Sequence, residues 1–247
     1  NLFILLGSIL IYIKFIRNII SKNYKNASLL FLLFCLMGIS LFLEKEVTSR
    51  LISLVWLIAI IFVTFNQIHS KLRLIIAVGI VLLSISYITN SNRFQKGFSE
   101  IKNVYVNNKF EGSWGHRLKL AEYGIKMWLE NPIIGRGIVD PVDKMREQKK
   151  INPNDFKDPT VHFHNQLILI LVQVGLLGFT LFLSFFYYFY NLKIKNTEIN
   201  LFKQTTLLVY FLVMFGEHYL HMIYTSTFFA LLIGLFFAYK NQEAIKN

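Results

Sequence analysis

The sequence has a single cysteine, Cys35, so no disulfide framework can form within the chain. That cysteine lies inside an apolar run and is no guide to redox compartment. Acidic residues are also scarce, with 14 Asp and Glu against 26 Lys and Arg, for a formal net charge of +12. In a water-soluble protein this balance would point to nucleic acid. Here the basic residues sit mainly between apolar runs, so no nucleic-acid partner is expected. They set topology instead, and they attract anionic head groups or phosphates of membrane lipids. The apolar runs lack strict alternation, which excludes barrel strands. Missing too are an internal repeat, a low-complexity tract, and the charged start and cleavage site of a signal peptide. The chain enters an apolar run directly after Asn1, and it is expected to be the C-terminal part of a longer protein.

What is present is hydrophobic: 54% of the 247 residues, including 24 Phe. Within hydrocarbon every backbone polar group must be satisfied inside its own segment, so long apolar runs become helices. The expected fold is all-α, a polytopic membrane helical bundle forming one membrane domain over residues 1–247. Seven candidate spans fall at 2–20, 28–43, 51–68, 72–89, 166–190, 204–217 and 220–239. The sixth is short enough to be broken or re-entrant.

Orientation follows from lysine and arginine in the short loops. Lys14, Arg17, Lys22 and Lys25 surround the end of the first span; Lys71 and Arg73 follow the third. Lys193, Lys195 and Lys203 follow the fifth, and Lys240 and Lys246 lie in the tail. These alternate regions are assigned to the cytoplasm. The opposite face then receives residues 44–50, a long loop at 90–165, and the turn from Gly216 to His221. Arg50, His116, Arg117, Arg136, His162, His164, Glu217, His218 and His221 share that face. A transporter or flippase would place ionisable groups near mid-membrane, where these spans have almost none.

The long loop carries its own pattern. Over 117–130, Leu118, Ala121, Ile125, Trp128 and Leu129 recur at helical spacing, predicting an amphipathic helix on the membrane surface or under the loop. Asn131 and Pro132 end it, and Gly135-Arg136-Gly137 makes a tight turn. Residues 140–160 are polar, contain Pro141, Pro153 and Pro159, and read as a mobile flap.

The stretch His162-Phe163-His164-Asn165 stands at the mouth of the fifth span. Asn165 suits an N-cap. His164, Leu171, Gly175 and Gly178 fall on one stripe, where the glycines admit a neighbouring helix and so fix the helix rotation. A neutral imidazole at His164 is able to take a proton from an attacking hydroxyl. Each residue also has a plainer reading: His164 as an interfacial cap, Arg50 as a snorkelling helix-end arginine, Arg117 as part of a solvated face. Glu217, His218 and His221 read as a wet helical turn or as acceptor contacts. No metal is expected, because His162 and His164 lack a nearby carboxylate or a third fixed ligand.

His164-Asn165, nine residues, then Gly175-Leu176-Leu177-Gly178 resembles the signature of the bacterial O-antigen ligases and related polysaccharide polymerases. Ser49-Arg50 at the head of the third span resembles the opening of that family's conserved region. Gly115-His116-Arg117-Leu118, then Trp128 and Asn131-Pro132-Ile133-Ile134-Gly135-Arg136-Gly137, resembles its loop block, although His116 splits the usual Gly-Arg pair and Arg136 stands between two glycines.

The resemblance implies a glycosyltransferase of the inner membrane with its active site on the periplasmic face. Such an enzyme is inverting and needs neither metal nor other cofactor. Its donor is a glycan on undecaprenyl pyrophosphate and its acceptor lipid A–core, in lipopolysaccharide biosynthesis; a polymerase or a protein O-oligosaccharyltransferase is the alternative. By the same resemblance His164 is the catalytic base, and Arg50 and Arg117 hold the pyrophosphate. Arg136, His162, Asn165, His218 and His221 are further donor or acceptor contacts.

Overall fold

The computed structural model describes residues 1–43, 47–68, 75, 78–82, 86, 89, 92–151 and 163–245, with backbone alone at 47–50, 93, 140 and 244. The described residues are helical, with no strand among them. The helices are α1 (Leu2–Ile20), α2 (Tyr24–Leu43), α3 (Val47–Gln67), α4 (Asn92–Asn107), α5 (Gly112–Glu130), α6 (Asp140–Ile151), α7 (Gln166–Asn191), α8 (Thr197–Val213) and α9 (Ile223–Ile245). Four of these, α1, α2, α7 and α9, are long and apolar enough to cross a membrane, and Leu51–Gln67 of α3 is a further apolar stretch. The expected span at 72–89 falls largely outside the described residues. The segment expected at 204–217 is shifted: its helix starts at Thr197 and ends at Val213, so Glu217 lies beyond it.

The chain divides into two compact units. The first holds Asn1–Tyr87, Phe189–Val213 and Ile223–Asn247. Its centre is the stripe Leu5, Ile9, Ile13 and Ile16 of α1, all buried, packed with α2 and α3. Several polar groups inside it are paired, which offsets the cost of their burial. Trp56 Nε1 donates to Ser8 Oγ at 2.7 Å. Tyr12 and Thr64 hydroxyls bond at 2.9 Å. The outer side of α2 leaves Leu29, Phe31, Leu32, Leu36 and Ile39 exposed. A helix apolar all round with one side bare suits a lipid surrounding.

One end of this unit gathers chain ends that the lysine and arginine pattern assigns to a single membrane face. Arg17 from the end of α1, Gln67 from the end of α3, and Thr197 and Glu198 from the start of α8 line a cleft of about 410 Å³. Arg17 Nη1 lies 2.5 Å from Glu198 Oε1. Glu243 near the end of α9 accepts from the backbone N–H groups of Lys195 and Asn196 at 2.9 and 3.1 Å. Lys203 does not stay in solvent with its neighbours. Its ammonium is buried and donates to the carbonyls of Phe189, Tyr190 and Leu192, capping the last turn of α7. A cation there complements both the orphan carbonyls and the helix dipole.

The second unit holds Ile88–Tyr188 and Met214–Met222. Its core is Leu120, Met127, Met145, Phe163, Leu169 and Val172, with Tyr123, Trp128 and Ile168 packed against it. Two expectations change here. First, α5 buries Gly115, Leu120, Gly124 and Met127, whereas Ile125 and Leu129 of the stripe read from the sequence are exposed. Glycine decides the face. A Cβ on Gly124 would come within 2.5 Å of Ile168 Cγ2 and 3.1 Å of Phe163 Cδ1, so only glycine lets α5 approach the start of α7. Second, part of the expected flap is helix α6. Pro141 is tolerated in a first turn, where its missing N–H is not needed. Lys149 and Lys150 sit at the negative end, and Met145 is buried in the core. Residues 152–160 lie outside the described part.

Helix α7 is broken at Gly175, which has φ 63° and ψ −168°, a region other residues scarcely reach. Its approach partner is a loop, not the helix expected on the His164–Gly178 stripe. Arg136 and Gly137 N–H groups donate to Val172 and Gln173 carbonyls at 2.8 and 2.9 Å. Leu176 and Leu177 N–H groups donate to Pro132 and Ile133 carbonyls at 2.8 and 3.1 Å. The loop therefore satisfies the backbone groups that the break sets loose. For Gly178, the nearest atoms to an added Cβ belong to Val174 of its own helix.

Candidate active site

The site is built at the start of α7, within the second unit. Asn165 Oδ1 accepts from the N–H groups of Leu167 and Ile168, both at 3.0 Å, as the expected N-cap does. The other end of the same amide, Nδ2, donates to the Phe215 carbonyl at 3.1 Å. Beside it the Gln166 N–H donates to Met214 O at 2.9 Å. One short stretch thus caps a helix and ties the Met214–Met222 segment to it. His164 precedes the cap with φ 50°, a left-handed conformation that is uncommon outside glycine. Phe163, 1% exposed, anchors the preceding position in the core.

This geometry turns His164 onto Glu217. The imidazole Nδ1 lies 3.2 Å from Glu217 Oε1 and 3.3 Å from Oε2. Arg117 grips the same carboxylate from α5: its Nη2 lies 2.7 Å from Oε1, and its Nη1 donates to the Gly216 carbonyl. His218 Nδ1 lies 3.2 Å from Oε2. Glu217 and His218 are buried, 4% and 8% exposed, while His164 is half-buried. Burial alone would raise the Glu217 acid. The imidazoles of His164 and His218, then the charge and hydrogen bond of Arg117, outweigh it and hold the carboxyl far below the usual carboxylate range. An ionised carboxylate only accepts, so His164 Nδ1 carries the proton and the basic lone pair falls on Nε2. The side-chain ligand atoms of His164, Glu217 and His218 all lie within 4.8 Å of one another, so they form a set able to hold a metal ion.

The remaining residues singled out from the sequence are placed differently. Arg136 Nε donates to the Met127 carbonyl at 3.1 Å and its Nη2 pairs with Glu130, so it clamps the end of α5. His221 is exposed, its ring 6.1 Å from that of His218. Arg50 lies in the first turn of α3, and its side chain is outside the described residues. His162 also lies outside them. The sequence reads Glu217 only as part of a wet turn or an acceptor contact, and the structure sets its carboxylate against His164 and Arg117. The signal was there: an acid at the end of an apolar run, flanked by His218 and His221.

A search of curated proteins gives no match. A family model described as O-antigen ligase matches residues 31–183, more than half of the 247-residue chain. That match takes in Arg117, the α5–α7 contact and the His164-Asn165 cap, and it stops before Glu217. With its membrane-length apolar helices and its polar site at the head of α7, the chain belongs to the O-antigen ligase family.

Proposed function

We propose that the protein is an inverting, metal-independent glycosyltransferase of the bacterial inner membrane. It moves a glycan from undecaprenyl pyrophosphate to lipid A–core on the periplasmic face. The observation that carries this reading is the His164–Glu217 pair, with Nδ1 on the carboxylate and the lone pair on Nε2. The acceptor hydroxyl gives its proton to Nε2 while its oxygen attacks the anomeric carbon from the side opposite the pyrophosphate. The carbon–oxygen bond to the pyrophosphate breaks, and the electron pair leaves with it. Guanidinium groups suit the charge that gathers on phosphate oxygens. Among the described residues Arg117 gives one N–H to Gly216 O and one to Glu217, and its guanidinium has further N–H groups suited to a phosphate. Arg50 is the second cation in this reading. The periplasmic placement is supported by the lysine- and arginine-bearing ends that gather around Arg17, Glu198 and Lys195. In the chain, His164 comes just before α7 and that loop just after it.

The test is His164→Ala in the full-length protein. It is expected to insert and fold normally and to lose transfer by about 10²- to 10⁴-fold; transfer near the normal rate would refute the base assignment. A polymerase or a protein O-oligosaccharyltransferase would use the same site with another acceptor. Loss of a ligase leaves full-length lipid-linked polymer, whereas loss of a polymerase leaves single units.

A further inference from the structure

We propose that His164, Glu217 and His218 also form an inhibitory site for a divalent transition-metal ion of the zinc type. The ion silences the base while it is bound. The inhibitory part rests on His164 being the base; the binding part does not.

Two imidazoles and a carboxylate are the donor set that zinc takes, and a set that magnesium and calcium, which prefer oxygen, do not. Metal–ligand bonds of about 2.0–2.2 Å place tetrahedral donors about 3.4 Å apart. The imidazole nitrogens lie 3.3 and 3.2 Å from Glu217 Oε2, the one atom close to both rings. One ligand atom from each of the three residues lies within 4.8 Å of the other two, so small side-chain movements close the set on an ion. Arg117 holds the other oxygen, Oε1, and so orients the carboxylate without occupying the donor atom. Glu217 and His218 are nearly enclosed, 5% and 10% exposed at their side chains, whereas His164 is 23% exposed. The cluster is therefore reached from the His164 side, which leaves a fourth position for water.

The consequence follows from imidazole chemistry. With Glu217 on Nδ1, the ring proton sits there and Nε2 is basic. A metal on Nδ1 displaces that proton, and the neutral ring then carries its proton on Nε2. The nitrogen that must accept a proton becomes a donor. Arg117, a fixed positive charge on the same carboxylate, weakens the hold on a second cation. The site is thus reversible, an inhibitory one, in contrast to a structural zinc centre.

The test uses purified full-length protein with zinc ion as the probe, in a stable detergent or nanodisc. Titration calorimetry is expected to show one saturable site with Kd of about 10 μM, and the same zinc range is expected to inhibit glycan transfer, with chelator restoring it. His218→Gln should weaken zinc binding about 10- to 100-fold and shift the inhibition midpoint, relative to its own basal rate, by the same factor. On the unaltered protein, zinc should protect His164 and His218 from diethylpyrocarbonate. No saturable binding, binding that His218→Gln leaves unchanged, or binding without inhibition would each overturn the proposal. Failure to bind zinc leaves the base reading intact; normal transfer by His164→Ala removes that reading while zinc binding stands.

Discussion

His164 and Glu217 are 53 residues apart in the chain, and their side chains meet at 3.2 Å. Three features bring them together. Asn165 caps α7 and latches Phe215, Gln166 holds Met214, and the left-handed backbone at His164 turns the ring toward the Met214–Met222 segment.

The latch gives a first prediction. Asn165→Asp keeps the oxygen that caps Leu167 and Ile168 but loses the Nδ2 donor to Phe215. Asn165→Ala loses both. Thermal unfolding in detergent should rank the native protein above Asn165→Asp and that above Asn165→Ala, with the cap itself worth about 1 kcal/mol. Equal stability of the native protein and Asn165→Asp would show that the Phe215 bond contributes nothing, and equal stability of the two variants that the cap contributes nothing.

Gly175 gives a second. Its backbone is in a glycine-only region, and an added Cβ would lie 2.2 Å from Ile133 O. Gly175→Ala should cost about 3 kcal/mol and free the 132–137 loop, read out as faster hydrogen exchange at Arg136 and Gly137. Gly178→Ala is expected to have the smaller effect, since its φ is not in the left-handed region and the atoms nearest to an added Cβ belong to the Val174 side chain of its own helix.

Parts of this architecture were legible in the sequence and parts were not. Apolar length located α1, α2, α7 and α9, and the Asn165 cap was readable because capping is local. The buried face of α5 was misread because Gly115 and Gly124 carry no hydropathy signal, yet their lack of a side chain sets the contact. Helix α6 was hidden by polar composition and by Pro141, and its one buried anchor, Met145, is invisible to periodicity. Glu217 escaped because a partner chosen by tertiary folding leaves no spacing in the chain.

Protonation gives a third prediction. The Glu217 carboxyl is held below its ordinary value of 4.5, so its contribution to stability is complete above that pH and is lost as pH falls through the lower folded value. Between pH 7 and pH 5 the native protein should therefore lose no stability through this group. In acid below pH 4.5 the native protein should lose stability faster than Glu217→Gln, which has no such proton to bind. Parallel stability curves for the two proteins would contradict the assignment.

Arg117 gives a fourth. Lysine is a point charge and does not reach both Gly216 O and Glu217 in the manner of the guanidinium fork. Arg117→Lys should lower transfer, and removing the cation altogether by Arg117→Met should destabilise the fold by about 3 kcal/mol, because the buried Glu217 loses its fixed counter-charge. Combining Arg117→Met with Glu217→Gln should recover part of that loss, and strict additivity in the double-mutant cycle would rule out the coupling.

The most direct test of the account is the turnover number of Glu217→Gln with a lipid-linked glycan donor, beside Glu217→Asp and a check of membrane insertion. If Glu217 sets the tautomer of His164, Glu217→Gln should lower kcat by about 10²-fold or more with little change in acceptor KM, and Glu217→Asp should restore part of it. A kcat equal to that of the native protein in a folded, inserted Glu217→Gln would contradict the account.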